Sequence, residues 1–129
     1  MAIVQEIFGE SGGAPTETTL WSNDSPTSAF AAGTINLSDS IANYDAIQFK
    51  YRMSTANDNT RTNIYPKSDY MNNANFTLAD FVASLAVFQR ILTKDSNTSF
   101  SITTAYRWNT SSTSSNNYII PIEVAGLKY

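Results

Sequence analysis

The chain has 129 residues, with 8 Lys or Arg against 11 Asp or Glu, a formal net charge of −3, and neither Cys nor His. That balance argues against nucleic acid or anionic lipid as the main partner, since both need concentrated positive charge. Without thiols or imidazoles there is no disulfide framework, no Cys- or His-ligated metal and no Ser-His-Asp triad.

Ser, Thr and Asn supply 44 residues and aromatics 12%. This describes one folded, β-rich domain decorated with hydroxyls and amides, because a disordered polar chain carries few aromatics. No run approaches the roughly 18 apolar residues that span a bilayer. The start lacks the basic n-region and long apolar stretch of a secretory signal. Four apolar residues, Ile3, Val4, Ile7 and Phe8, precede a flexible stretch from Gly9 to Thr16 that holds three of the five Gly. This reads as an arm and linker over residues 1–16, ahead of a domain over 17–129. The arm has two readings: an element packed on its own domain, or a docking arm for another subunit.

From Glu17 onward short apolar runs alternate with Asn/Ser/Asp/Gly clusters, the spacing of an all-β sandwich with jelly-roll-like character. Thr18–Trp21 reads as a first strand, stopped by the turn signal Asn23-Asp24-Ser25-Pro26. Thr34–Leu37 reads as a second strand, and Ser38–Asn43 as a helical turn with Ile41 as its buried plug. Ala46–Met53 alternates cleanly, with Ile47, Phe49, Tyr51 and Met53 on one face. Ser54–Thr60 is a polar loop, Arg61–Tyr65 a strand closed by Pro66, and Lys67–Asn75 a second loop.

Residues 76–92 admit two readings. Leu78, Phe81, Val82, Leu85, Phe88 and Leu92 fit a helical face, with Thr77–Asp80 as an acidic capping box. The alternative is a turn through Ala83 and then a strand from Leu85 to Thr93. The hairpin signal Lys94-Asp95-Ser96-Asn97 favours the strand, since a hairpin needs strands on both sides. Beyond it Phe100, Ile102, Thr104, Tyr106 and Trp108 share one face of a continuous strand, which places Tyr106 and Trp108 in the core. Asn109–Asn117 is a loop too polar to bury. Tyr118–Leu127 is the last strand, with Ile120, Ile122 and Val124 inward and Pro121 marking an edge or a bulge.

Three stretches together carry a resemblance. They are Leu20-Trp21 through Phe30, then Ile35-Asn36-Leu37 and Ile41-Ala42-Asn43-Tyr44-Asp45-Ala46-Ile47, and finally Tyr118-Ile119-Ile120-Pro121 through Gly126-Leu127-Lys128. The chain resembles a β-sandwich module of bacteriophage tail-fibre and other virion surface proteins. In that module a Leu-Trp opens the first strand, an Asn-Tyr-Asp turn feeds a long alternating strand, an Arg (here Arg90) sits in a later strand, and an Ile-Pro … Gly-Ile-Lys strand closes the chain. The resemblance covers residues 19 to 128. It implies a component of a phage particle, made in the host cytoplasm and displayed on the virion. With its own Met1 and only a short arm ahead of the module, the expectation is a small separate piece: a capsid decoration, head-fibre or tail protein.

The candidate chemistry is thin. Tyr106 and Trp108 next to a Ser/Thr/Asn loop could stack on and hydrogen-bond to a sugar. The loop residues Asn57, Asp58, Asn59, Tyr70, Asn72, Asn73 and Asn75 are equal candidates for a glycan contact. Asn57-Asp58-Asn59 lacks the spaced ligands and distal Glu of a calcium loop. Asp39 with Asp45, or Asp69 with Asp80, are the nearest approach to a glycosidase pair, and all four read as turn residues. The expectation is therefore a non-enzymatic virion structural protein with no cofactor or metal. Its partners are other virion proteins, docked through Ile3, Val4, Ile7 and Phe8. By analogy with fibre and decoration proteins it would be a homo-oligomer, a trimer. The alternative is a host-glycan or receptor-binding module.

Overall fold

The computed structural model describes residues 14–56, 58–82, 86–108 and 112–129, the side chains of Val82 and Ser112 excepted. The arm residues Ile3, Val4, Ile7 and Phe8 and the loop residue Asn57 lie outside the described residues. In chain order the elements are β1 (Thr16–Ser22), β2 (Gly33–Asn36), a 3₁₀ turn (Ile41–Asn43), β3 (Ala46–Ser54), β4 (Thr60–Pro66), α1 (Lys67–Asn72), β5 (Asn75–Val82), β6 (Ala86–Ser96), β7 (Ser99–Ile102), β8 (Tyr106–Trp108), β9 (Ser112–Ser114) and β10 (Tyr118–Lys128). One sheet has four strands in the order β1-β10-β3-β4. In the other, of six strands, β6 carries β5 along one edge and first β7, then β8, along the other; β2 flanks β7 and β9 flanks β8. Every pairing is antiparallel, and the two sheets pack as an all-β sandwich, as the alternation predicts.

The core is built from the inner faces. Ile47, Phe49, Tyr51 and Met53 of β3 are all buried, as their period-2 spacing requires. Phe49 meets Phe100 of the opposite sheet edge-to-face, with ring centroids 5.5 Å apart at 90°. Phe76 and Tyr65 complete this aromatic cluster. Nearer the other end of the sandwich Phe88 stacks on Tyr118 at 4.3 Å. Ile41 is fully buried at its 3₁₀ turn, which Ser40 caps by accepting from the Ala42 N–H.

Several expectations are corrected. Residues 75–82 form a strand, β5, not a turn or the start of a helix. The period-2 pattern Phe76, Leu78, Asp80 wins over the helical one because β6 supplies a full antiparallel partner. The loop expected at 67–75 contains α1, whose Tyr70 is buried against the 3₁₀ turn. In β10 a bulge lies between Pro121 and Glu123. It exchanges faces, so Ile119 and Val124 join the core cluster while Ile122 is half-buried. Pro121 therefore marks a bulge in a central strand, not an edge. Asn23 stabilises the bulge by donating from its side chain to the Pro121 carbonyl and from its backbone to that of Ile122, each at 2.8 Å.

Arg90 is fully buried on the inner face of β6. Its Nε donates to the Tyr118 carbonyl at 3.1 Å, and its Nη2 donates to the carbonyls of Phe30 and Asn116. The guanidinium also lies over the Phe30 ring, 5.6 Å from its centroid. Burial pushes its pKa down to about 10, which still leaves it charged at neutral pH. One side chain thus ties the β1–β2 loop and the β9–β10 turn to the six-stranded sheet. Next to it Ile119 has φ 47°, a left-handed conformation that a β-branched residue adopts only under constraint.

At the opposite end Gly126 of β10 lies under the ring of Tyr44. A Cβ on Gly126 would sit 2.4 Å from that ring. Tyr44 is held from its other end, where its hydroxyl donates to Asp39 at 2.9 Å.

Two outcomes follow for stability, both measurable by denaturant titration. Arg90→Met leaves three carbonyls without their charged donor and should cost about 3–5 kcal/mol. Gly126→Ala should cost about 1–3 kcal/mol through overpacking. It should become nearly neutral when Tyr44→Ala removes the ring, a non-additivity visible in a double-mutant cycle.

Candidate functional site

The most distinctive surface arises from a one-residue mismatch. Leu92 of β6 pairs with Ile102, but Gln89 pairs with Tyr106, so the chain from β7 to β8 carries one residue more than its partner. Thr103 bridges the gap: its N–H donates to the Ile91 carbonyl at 3.0 Å, and its hydroxyl accepts from the Ile91 N–H at 3.1 Å. An extra residue exchanges the two faces of a strand. Phe100 and Ile102 point inward before the bulge, and Ala105 is buried within it. Tyr106 and Trp108 then emerge on the outer face, 40% and 46% exposed, where continuous alternation would have buried them. Their core placement in the sequence reading is thereby overturned.

Cross-strand register lines up neighbours on this outer face. Phe81, Val87 and Trp108 form one row across β5, β6 and β8, with Phe81 74% exposed. Ala79, Gln89, Tyr106 and Ser114 form the next. The rings of Tyr106 and Trp108 lie 6.1 Å apart and are inclined at 33°. Towards the other end of the sheet the face turns to hydroxyls and amides, with Asn75, Thr93, Ser101 and Thr34 in one row. None of these positions carries a charged side chain.

The other predicted contact residues are dispersed. Asp58 and Asn59 are exposed in the β3–β4 loop. Asn72 and Asn73 are exposed at the end of α1, where their side chains donate to the Ser68 and Asp69 carbonyls. Asn73, with Tyr65, Asp69, Asn75, Phe76 and Thr77, lines an open cleft of ≈ 370 Å³. From Asn75 to Phe81 along β5 is about 20 Å, so this cleft and the aromatic rows are separate features. Tyr70 is not a surface residue: it is fully buried, and its hydroxyl donates to the carbonyls of Ile41 and Tyr44. Sequence reasoning missed Phe81, which its favoured reading placed in a turn through Ala83 and its other reading on a helical face. A strand reading that placed Phe76, Leu78 and Asp80 inward would have put Phe81 outside.

Of the four carboxylates suspected as catalytic pairs, Asp39, Asp45 and Asp80 are engaged locally, whereas Asp69 is exposed and lines the open cleft. Asp80 is not a turn residue; it is buried in β5, where Arg61 of β4 donates to it at 3.0 Å. Hydrogen bonds from the Ser40 N–H, the Tyr44 hydroxyl and the Asn43 amide hold the Asp39 carboxyl below its ordinary pKa. Asp45 accepts from the Tyr129 N–H at 2.9 Å. Among the described residues no group of three acidic side chains comes together as a metal site.

Burial, reinforced by the nearby charge of Asp45, pushes the Tyr70 phenol up to about 12. The folded pKa is raised, so the stabilisation is complete below the unfolded value of about 10 and is lost as pH rises to about 12. Tyr70→Phe should therefore lower stability at pH 7 by about 1–3 kcal/mol. It should also flatten the decline between pH 10 and 12, as measured by urea unfolding across that range. Neither the known protein-family models nor the curated proteins contain a match to this chain.

Proposed function

We propose that this chain is a non-enzymatic structural protein of a tailed-phage particle, attached by its N-terminal arm and displaying its sandwich. One observation supports this reading above others: the residues that carry the resemblance to virion modules are the ones that hold the sandwich together. Trp21 packs edge-on to Phe30, Tyr44 covers Gly126, Asp45 receives the Tyr129 N–H, and Arg90 gathers two loops. What the resemblance transfers is a rigid block.

The placement of the chain's ends agrees with attachment at one pole. β1 starts at Thr16, paired with Lys128 at the far end of β10. Tyr118, at the other end of β10, stacks on Phe88, and Phe88 pairs with Arg107 between the two exposed rings. The 11 residues of β10 span about 35 Å. A block gripped through residues ahead of Thr16 therefore presents its aromatic end away from the attachment. Many copies on a symmetric particle would bind tightly through avidity even where a single arm binds weakly.

Deletion of residues 2–13 tests the proposal. The variant should keep the unfolding midpoint of the full chain and lose co-sedimentation with phage particles when both versions are expressed during infection. A lowered midpoint would mean that the arm packs on its own sandwich, and retained co-sedimentation would mean that attachment lies elsewhere; either result overturns the proposal.

A further inference from the structure

We infer that the outer face of the six-stranded sheet is a binding platform for an uncharged saccharide chain, with Trp108, Tyr106 and Phe81 stacking on sugar rings. The inference stands independently of the particle reading.

Three properties select this occupant. First, the three rings stand in solvent, 74% exposed at Phe81, 46% at Trp108 and 40% at Tyr106, on strands paired with β6. The face of an aromatic ring is electron-rich and attracts the weakly positive C–H groups on the flat side of a pyranose. The Tyr106–Trp108 pair, 6.1 Å between centroids and inclined at 33°, places two such rings in succession. Second, the flanking groups are neutral hydrogen-bonding side chains, Gln89 beside Tyr106 and Ser114 beyond it. They can satisfy ring hydroxyls without demanding a counter-charge. Nucleobases also stack on aromatics, but no Lys or Arg lies in these rows to meet a phosphate backbone, and the chain is net negative. Third, the exposed ring surface totals about 300 Å². That is far short of the ~800 Å² per partner that a stable protein interface buries, so a second copy of this chain is a poorer fit than a short stretch of glycan.

Calorimetric titration of the full chain tests this, with neutral tetrasaccharides of glucose, mannose, galactose and N-acetylglucosamine and with tetragalacturonate as the charged comparison. At least one neutral probe should give saturable binding stronger than tetragalacturonate. Trp108→Ala and Tyr106→Ala should each weaken it tenfold or more while leaving the unfolding midpoint in place. If either variant loses cooperative unfolding, Phe81→Ser, at the most exposed ring, replaces it under the same criterion. The inference is overturned if no neutral probe saturates at millimolar concentration. It is equally overturned if the ring variants bind as the parent does, or if sedimentation shows self-association that Trp108→Ala abolishes. None of these outcomes bears on the arm deletion.

Discussion

A buried guanidinium holding three backbone carbonyls is the constraint on which the rest of this sandwich depends. Arg90 has no carboxylate partner among the hydrogen bonds of the described residues; its charge is stabilised by the carbonyls of Phe30, Asn116 and Tyr118 and by the Phe30 ring. Charge-assisted bonds of this kind are roughly twice as strong as neutral ones and lose strength steeply with misalignment. The loops that supply the carbonyls are thus fixed relative to β6. The Phe30 N–H donates back to the Asn116 carbonyl at 2.9 Å, closing the two loops on each other. The strained backbone of Ile119 persists next to this clamp because its own side chain is fully buried and the preceding carbonyl is held.

Two single-residue bulges then decide what each sheet shows to solvent. In β10 the bulge beside Pro121 brings Ile119 and Val124 to the same inner face, although an unbroken strand would place them on opposite faces. In the other sheet the bulge at Thr103 turns Tyr106 and Trp108 outward. The same device serves the core in one case and creates an exposed aromatic surface in the other. Phe81, 74% exposed, leaves most of its transfer free energy unused, while Trp108 and Tyr106, 46% and 40% exposed, leave nearly half of theirs.

The arrangement separates holding from presenting. Polar contacts (the pair of exposed Arg61 with buried Asp80 across the sheet edges, the Tyr70 hydroxyl on two carbonyls, the Tyr51 hydroxyl on Ala79) join elements distant in sequence. The aromatic rows on the outer face of the six-stranded sheet take no part in that network. Proposals for attachment and for recognition therefore draw on different residues at different poles and can fail separately.

Much of the fold is legible from residues alone, because strand period, turn residues and the Ile41 plug are local properties. β3 is read correctly residue by residue, as every second side chain from Ile47 to Met53 enters one core. Helix α1 escaped because six residues, of which only Tyr70 and Met71 are apolar, give no periodic signal and only the burial of Tyr70 justifies the turn. The candidate face escaped for a different reason. Whether Trp108 is core or surface depends on one extra residue at Thr103, and nothing in the alternation from Phe100 to Trp108 marks it. The sequence by itself determined the all-β class, the two-faced strands and the exclusion of thiol and imidazole chemistry, since these follow from residue types and their spacing. Only the tertiary structure decided which face each aromatic occupies and what Arg90 holds, because register and loop closure are set by pairing between segments far apart in the chain.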